Sequence, residues 1–165
     1  MKRPQPIKPG PGQESVWDYP RPPRLESTSK HIKVIYNGMV IAETNRALRV
    51  LETSHPPTYY IPPDDVQRAY VIPTARSSYC EWKGRAAYYT VRVGDREEPD
   101  AAWYYPEPVQ AYVALRNYVT FYPGRMDACY VNDELVTAQP GGFYGGWITS
   151  DVVGPFKGIE GSWGW

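Results

Sequence analysis

Proline is the feature that most limits what this chain can fold into. Eighteen prolines are distributed over 165 residues, and proline is tolerated neither in helix interiors nor in central strands. The chain is therefore cut into short elements. Its aromatic residues are mostly Tyr and Trp, 15 and 6 against 3 Phe. Tyr and Trp suit strand surfaces and the walls of pockets that are apolar in body and polar at one end. Both features point to a mainly β protein. Apolar residues at 42% are enough for one core, and the length suits one domain.

Three segments follow from the local composition. Residues 1–29 carry seven of the prolines and more basic than acidic side chains, which reads as an extended Pro-rich arm. Trp17 and Tyr19 are placed to pin that arm to the body or to a second subunit. Residues 30–140 read as the β-rich domain. Its strongest local signal is Asn37-Gly38 between alternating apolar runs, a tight hairpin turn. Asn45 is expected to cap a short helix over Arg46–Glu52, an acidic pair at Asp64-Asp65 a turn of helix through Val66–Tyr70, and Pro108–Arg116 forms a third helical piece. Seven to nine short strands account for the rest. Residues 141–165 hold eight of the 14 glycines together with Phe143, Tyr144, Trp147, Phe156, Trp163 and Trp165. Six aromatics are unsuited to a free linker, so this tail is expected to pack on the domain or on a partner subunit, and arm and tail together suit a homo-oligomer contact.

Charge removes some functions from consideration. Eighteen basic residues balance 18 acidic ones, which argues against general nucleic-acid binding and against attraction to an anionic membrane. No apolar run approaches the roughly 18 residues of a membrane span. The first residues are basic without an apolar stretch behind them, so no secretory signal is read and a cytoplasmic location is expected. There Cys80 and Cys129 stay reduced. Two cysteines and two histidines, His31 and His55, have no ligand spacing, so neither a metal nor another cofactor is expected. Asp64-Asp65 is explained by capping. No nucleophile elbow, P-loop, dinucleotide fingerprint or zinc-protease motif is present.

The chemistry-bearing residues are aromatic for the most part. Aromatic strands over residues 59–60, 88–89, 103–105 and 121–122 converge in a small β fold, either as plain core or as a concave wall. As a wall, Tyr60, Trp82, Trp103 and Tyr105 with the cations Arg46 and Lys83 suit a flat or cationic small ligand. Cys80 lies three residues before Lys83, and a nearby cation raises the thiolate fraction of a thiol. In a straight strand the two would point to opposite faces, so the pairing needs a bend, which Gly84 offers. A buried, inert cysteine is the simpler alternative.

Six segments then carry a resemblance: Gly38–Thr44 (GMVIAET), Tyr60–Val66 (YIPPDDV), Cys80–Gly84 (CEWKG), Ala86–Tyr89 (AAYY), Ala102–Pro108 (AWYYPEP) and Val119–Tyr122 (VTFY). In this order they resemble the domain-of-unknown-function 427 family, also catalogued as nucleotidyltransferase-like, over about residues 31–131. The arm and the glycine-aromatic tail look like those of a longer variety of that family. The resemblance implies a β-tent, a pair of antiparallel sheets meeting at an angle, with two or three short helices. Relatives of that shape hold a ligand against one sheet, in an aromatic cage or beside a catalytic cysteine, which would make Trp82 and Trp103 cage residues and Cys80 the thiol. Their four-cysteine zinc site cannot form here. Nucleotidyl transfer would need clustered carboxylates holding two metals, normally a Gly-Ser turn followed by an Asp-x-Asp strand, and the sequence has neither. The sequence thus favours a small-molecule-binding module with an aromatic pocket. The alternatives are an enzyme of nucleotidyltransferase-like or Cys80 thiol chemistry, and an assembly protein using arm and tail.

Overall fold

The computed structural model describes residues 3–165. The first strands are β1 (Glu14–Ser15), β2 (Arg24–Ser27), β3 (Ile32–Tyr36), β4 (Met39–Thr44), β5 (Leu48–Leu51) and β6 (Thr58–Tyr60). Three longer ones follow, β7 (Val71–Cys80), β8 (Gly84–Val93) and β9 (Arg96–Tyr104). The chain then forms β10 (Val119–Phe121), β11 (Ala128–Val131), β12 (Glu134–Leu135) and β13 (Thr137–Ala138), and ends with β14 (Trp147–Ile148) and β15 (Val152–Val153). Two four-stranded antiparallel sheets dominate, ordered β12-β11-β3-β4 and β10-β9-β8-β7. A three-stranded antiparallel sheet, β2-β5-β6, joins the second through reciprocal backbone hydrogen bonds between Ile61 and Val119. The fold is mainly β, as the proline spacing requires.

The Asn37-Gly38 turn forms as the sequence predicts. Both residues have positive φ, 47° and 77°, as a tight two-residue hairpin of this twist demands. Asn37 also donates its side-chain amide to the Val93 carbonyl at 2.8 Å, tying the two large sheets together. Between these sheets Ile32, Val34, Ile41, Val91 and Phe121 form the main core with Tyr59 and Trp147.

The helices are where expectation and structure part. Arg46–Glu52 is not helical: Leu48–Leu51 is strand β5, paired with β2 on one side and β6 on the other. An apolar run this short satisfies both periods, and pairing decides. As a strand it sends Leu48 and Val50 toward one cluster and Leu51 toward another. Buried Arg49 meets Glu14 at 2.5 Å and Glu26 at 2.8 Å, both from the arm segment. The other helical pieces are short 3-10 turns, Pro63–Asp65, Arg68–Tyr70 and a kinked Gln110–Leu115. Strand β7 runs through Pro73 with a register shift between Pro73 and Ser77. Proline there removes a ladder donor, and the bulge absorbs the loss.

Arm and tail meet each other. β1 pairs in parallel with β15, and Val16, Trp17 and Tyr19 pack with Val152, Phe156 and Trp165. Trp17 Nε1 donates to the Pro155 carbonyl at 2.9 Å. Among the described residues no helix is long and apolar enough to cross a membrane.

Candidate functional site

The β7–β8 hairpin builds the first wall of a pocket. Cys80 pairs with Gly84, leaving Glu81, Trp82 and Lys83 in the turn. Gly84 has φ +109°, a conformation that side chains disfavour. A Cβ there would also stand 3.5 Å from the Glu107 carbonyl and the Val109 nitrogen. The Val109 N–H donates to the Lys83 carbonyl at 3.0 Å, so the turn is docked against the segment that follows β9. This bend brings Cys80 and Lys83 to the same cavity. Lys83 is only 7% exposed, with its Nζ 5.8 Å from the centroid of the Tyr105 ring. Burial opposes its charge. Tyr60, Cys80 and Glu52 together more than offset that, and its pKa lies above the usual lysine value.

The second wall is aromatic. Tyr88 and Trp103 are cross-strand partners on β8 and β9. Trp103 stands edge-on to Tyr60 of β6, with its Nε1 donating to the Tyr60 hydroxyl at 3.3 Å. Tyr122, just after β10, lies against the Trp103 ring at 4.6 Å between centroids. Tyr105 completes the wall beside Tyr60. Burial raises the phenol pKa values of Tyr60 and Tyr105, and both hydroxyls are neutral at physiological pH.

The tail supplies the third wall. Gly145 has no side chain because Trp103 is there: a Cβ would fall against its ring, 2.8 Å from Cζ3. Gln139 fixes the neighbouring backbone by accepting from the Gly146 N–H at 3.0 Å. Its amide nitrogen, oriented by that bond, donates to the Lys157 carbonyl at 2.8 Å and faces His55 Nδ1 at 3.1 Å. His55 Nδ1 is thus the acceptor, and its Nε2 points to Glu52 at 3.6 Å. Burial first, then the nearby cations Lys157, Arg21 and Lys83, push the His55 pKa down to about 4 against the pull of Glu52. Tyr144 covers His55 edge-on. The three walls frame a half-open cavity of about 420 Å³.

A family profile described as a domain of unknown function (DUF427), labelled NTP_transf_9, matches residues 24–132, about two thirds of the chain. The chain belongs to this family. No curated protein matches it. In this DUF427 protein the first two walls lie inside the matched segment. The third, from Gln139 to Lys157, lies outside it.

Of the residues singled out from the sequence, Tyr60, Trp82, Lys83, Trp103, Tyr105 and Cys80 all line this cavity of the DUF427 domain. Arg46 does not. It is 64% exposed, bound through Nε and Nη2 to Asp65 at 3.0 and 3.2 Å, and lines a shallow depression elsewhere with His31 and Glu43. Its pairing with Asp65 follows from β4 and the Pro63–Asp65 turn lying side by side. His55, Gln139, Lys157 and Arg76 also line the cavity and carry no sequence signal; Gln139 and Lys157 reach it only because the tail docks there. The Gly145-Gly146 pair was the one visible hint. Cys80 is half-buried and Cys129 fully buried, both free, and burial pushes the Cys129 thiol up beyond physiological titration. Among the described residues no three His, Cys, Asp or Glu side chains converge as a metal site would require.

Proposed function

We propose that this DUF427 protein is a small-molecule-binding module whose ligand presents a flat ring to the aromatic pocket. The observation that carries the reading is the cavity itself. Its volume, about 420 Å³, falls in the range of roughly 300–1,000 Å³ common to ligand sites. Its aromatic walls come from β6, the β7–β8 turn, β8 and β9, and hydrogen bonds among them preset their positions. Preset walls lose little freedom on binding, which favours affinity. The free thiols of Cys80 and Cys129 suit a reducing, cytoplasmic setting for such a module.

Trp82 is the residue to test, because it is half-buried in the turn and belongs to no sheet. Titration with 2-naphthamide, a flat uncharged probe, is expected to quench tryptophan fluorescence in the wild type, with at least a tenfold weaker response in Trp82→Ala. Equal binding by Trp82→Ala would remove the turn from the site, and no binding by the wild type would count against the pocket as a ring-binding site.

A further inference from the structure

The pocket is unequal in charge. Three cations line it, Arg76, Lys83 and Lys157, against two carboxylates, Glu52 and Glu81. Glu52 is already committed, lying 3.3 Å from Arg21 Nε and 3.6 Å from His55 Nε2. Glu81 is exposed. Among the described residues no carboxylate comes within ion-pair distance of Lys83. An ammonium that is removed from water without an anion beside it is costly. The Tyr105 ring at 5.8 Å and the nearby Tyr60, Cys80 and Glu52 keep the ammonium charged, but none of them is a carboxylate in contact with it. Arg76 is exposed, over the Tyr88 ring and 4.0 Å from Asp100, and Lys157 Nζ donates to the Trp165 carbonyl at 3.3 Å, so among the described residues Lys83 is the buried cation without an anionic partner. The composition of the wall is equally compatible with flat cations and flat anions. The charge around it is not.

We infer that the ligand of this pocket is anionic: a planar ring bearing a carboxylate or a phosphate, with the acid group paired to Lys83 and the ring on the aromatic wall. The inference rests on the ring-binding reading and adds the charge of the ligand to it. A cationic ligand would bring a further positive charge beside Lys83, while Glu81, the one lining carboxylate outside any ion pair, sits exposed in the turn rather than at the ammonium. An anion supplies the partner that the fold withholds, and charge-assisted hydrogen bonds from a buried ammonium are stronger than neutral ones.

The test is isothermal titration of the full chain with four probes on one ring system: 2-naphthoate, 2-naphthyl phosphate, neutral 2-naphthamide and cationic 2-naphthylmethylamine. Both anions are expected to bind at least about tenfold more tightly than the amide, and the amine most weakly. Whichever anion binds better identifies the acid group. Lys83→Met should erase the preference, so that within this variant both anions bind no more tightly than the amide, and Lys83→Arg should retain it in part. Equal affinity of amide and anions for the wild type would overturn the inference and leave ring binding intact. Survival of the preference in a folded Lys83→Met protein would also overturn it. No binding of any probe would overturn the ring-binding reading and the inference with it. The wild-type comparison stands whether or not the Lys83→Met protein folds.

Discussion

His55 is held neutral by its surroundings, and that has a measurable consequence. Its side chain is 17% exposed, its Nδ1 faces the Gln139 amide, and its pKa is about 4 in the folded protein against about 6.5 for an unperturbed histidine. Above pH 6.5 both folded and unfolded chains carry a neutral imidazole, and the site costs nothing. As pH falls from 6.5 to 4 the unfolded chain takes up the proton first, so stability falls with pH across that window. The loss attributable to this residue is about 3 kcal/mol in total. Denaturant unfolding at pH 7 and pH 4 is expected to show His55→Gln losing less stability than the wild type between the two. Parallel losses would mean that His55 is not buried in its neutral form. Trp103 calls for the opposite caution. At 9% exposure, with Tyr60 and Tyr122 against it, its truncation to Ala should cost about 3–5 kcal/mol, so a change in ligand binding by that variant would report folding as much as contact. Trp82 is the cleaner probe.

Among the elements, strand β5 is the instructive one. The sequence pattern of residues 46–52 fits a helix as well as a strand, and nothing local separates them. What separates them is pairing with β2 and β6, to which Arg49 is added, its buried guanidinium held above its ordinary pKa by Glu14 and Glu26 despite the cost of burial. Both partners lie far away in sequence, and such long-range pairing cannot be read from a window of seven residues. The Asn37-Gly38 hairpin was legible because its geometry is local, and the aromatic wall because strand alternation is local too. The third wall was not, since it depends on where the tail docks. Arg49→Met leaves two partly buried carboxylates without their cation and should cost about 2–3 kcal/mol. Loss of stability by chemical denaturation checks this, and the effect should shrink when Glu14 and Glu26 are also replaced by Gln. Gly145→Ala tests the tail wall directly. Its Cβ would collide with the Trp103 ring, so the tail must shift, with a cost of about 1–3 kcal/mol and a red shift in tryptophan emission. A variant with wild-type melting and emission would show that the tail does not rest on Trp103.

At the scale of the whole molecule, the two ends act as a single clasp. β1 and β15 pair with each other, Trp17 meets Trp165 with ring centroids 5.5 Å apart, and Lys30 binds Asp151 at 2.5 Å. The tail reaches deeper still: Trp147 is fully buried in the main core, where its Nε1 donates to the Phe121 carbonyl at 3.1 Å and its ring packs on Tyr59. Emptying a tryptophan site of this kind costs about 3–5 kcal/mol, against a typical domain stability of about 5–15 kcal/mol. Removing residues 141–165 takes away Trp147, the partner strand of β1 and the third wall of the pocket together. A chain ending at Pro140 is therefore expected to lose its cooperative melt or to melt far lower than the full chain, and to expose apolar surface that light scattering detects as association. Trp147→Phe, which keeps a ring but loses the hydrogen bond and some volume, should fall between the two. An unchanged melting temperature and mass for the truncated chain would show that the core closes without the tail, and that the β2–β5 ladder and Arg49 suffice to hold the arm.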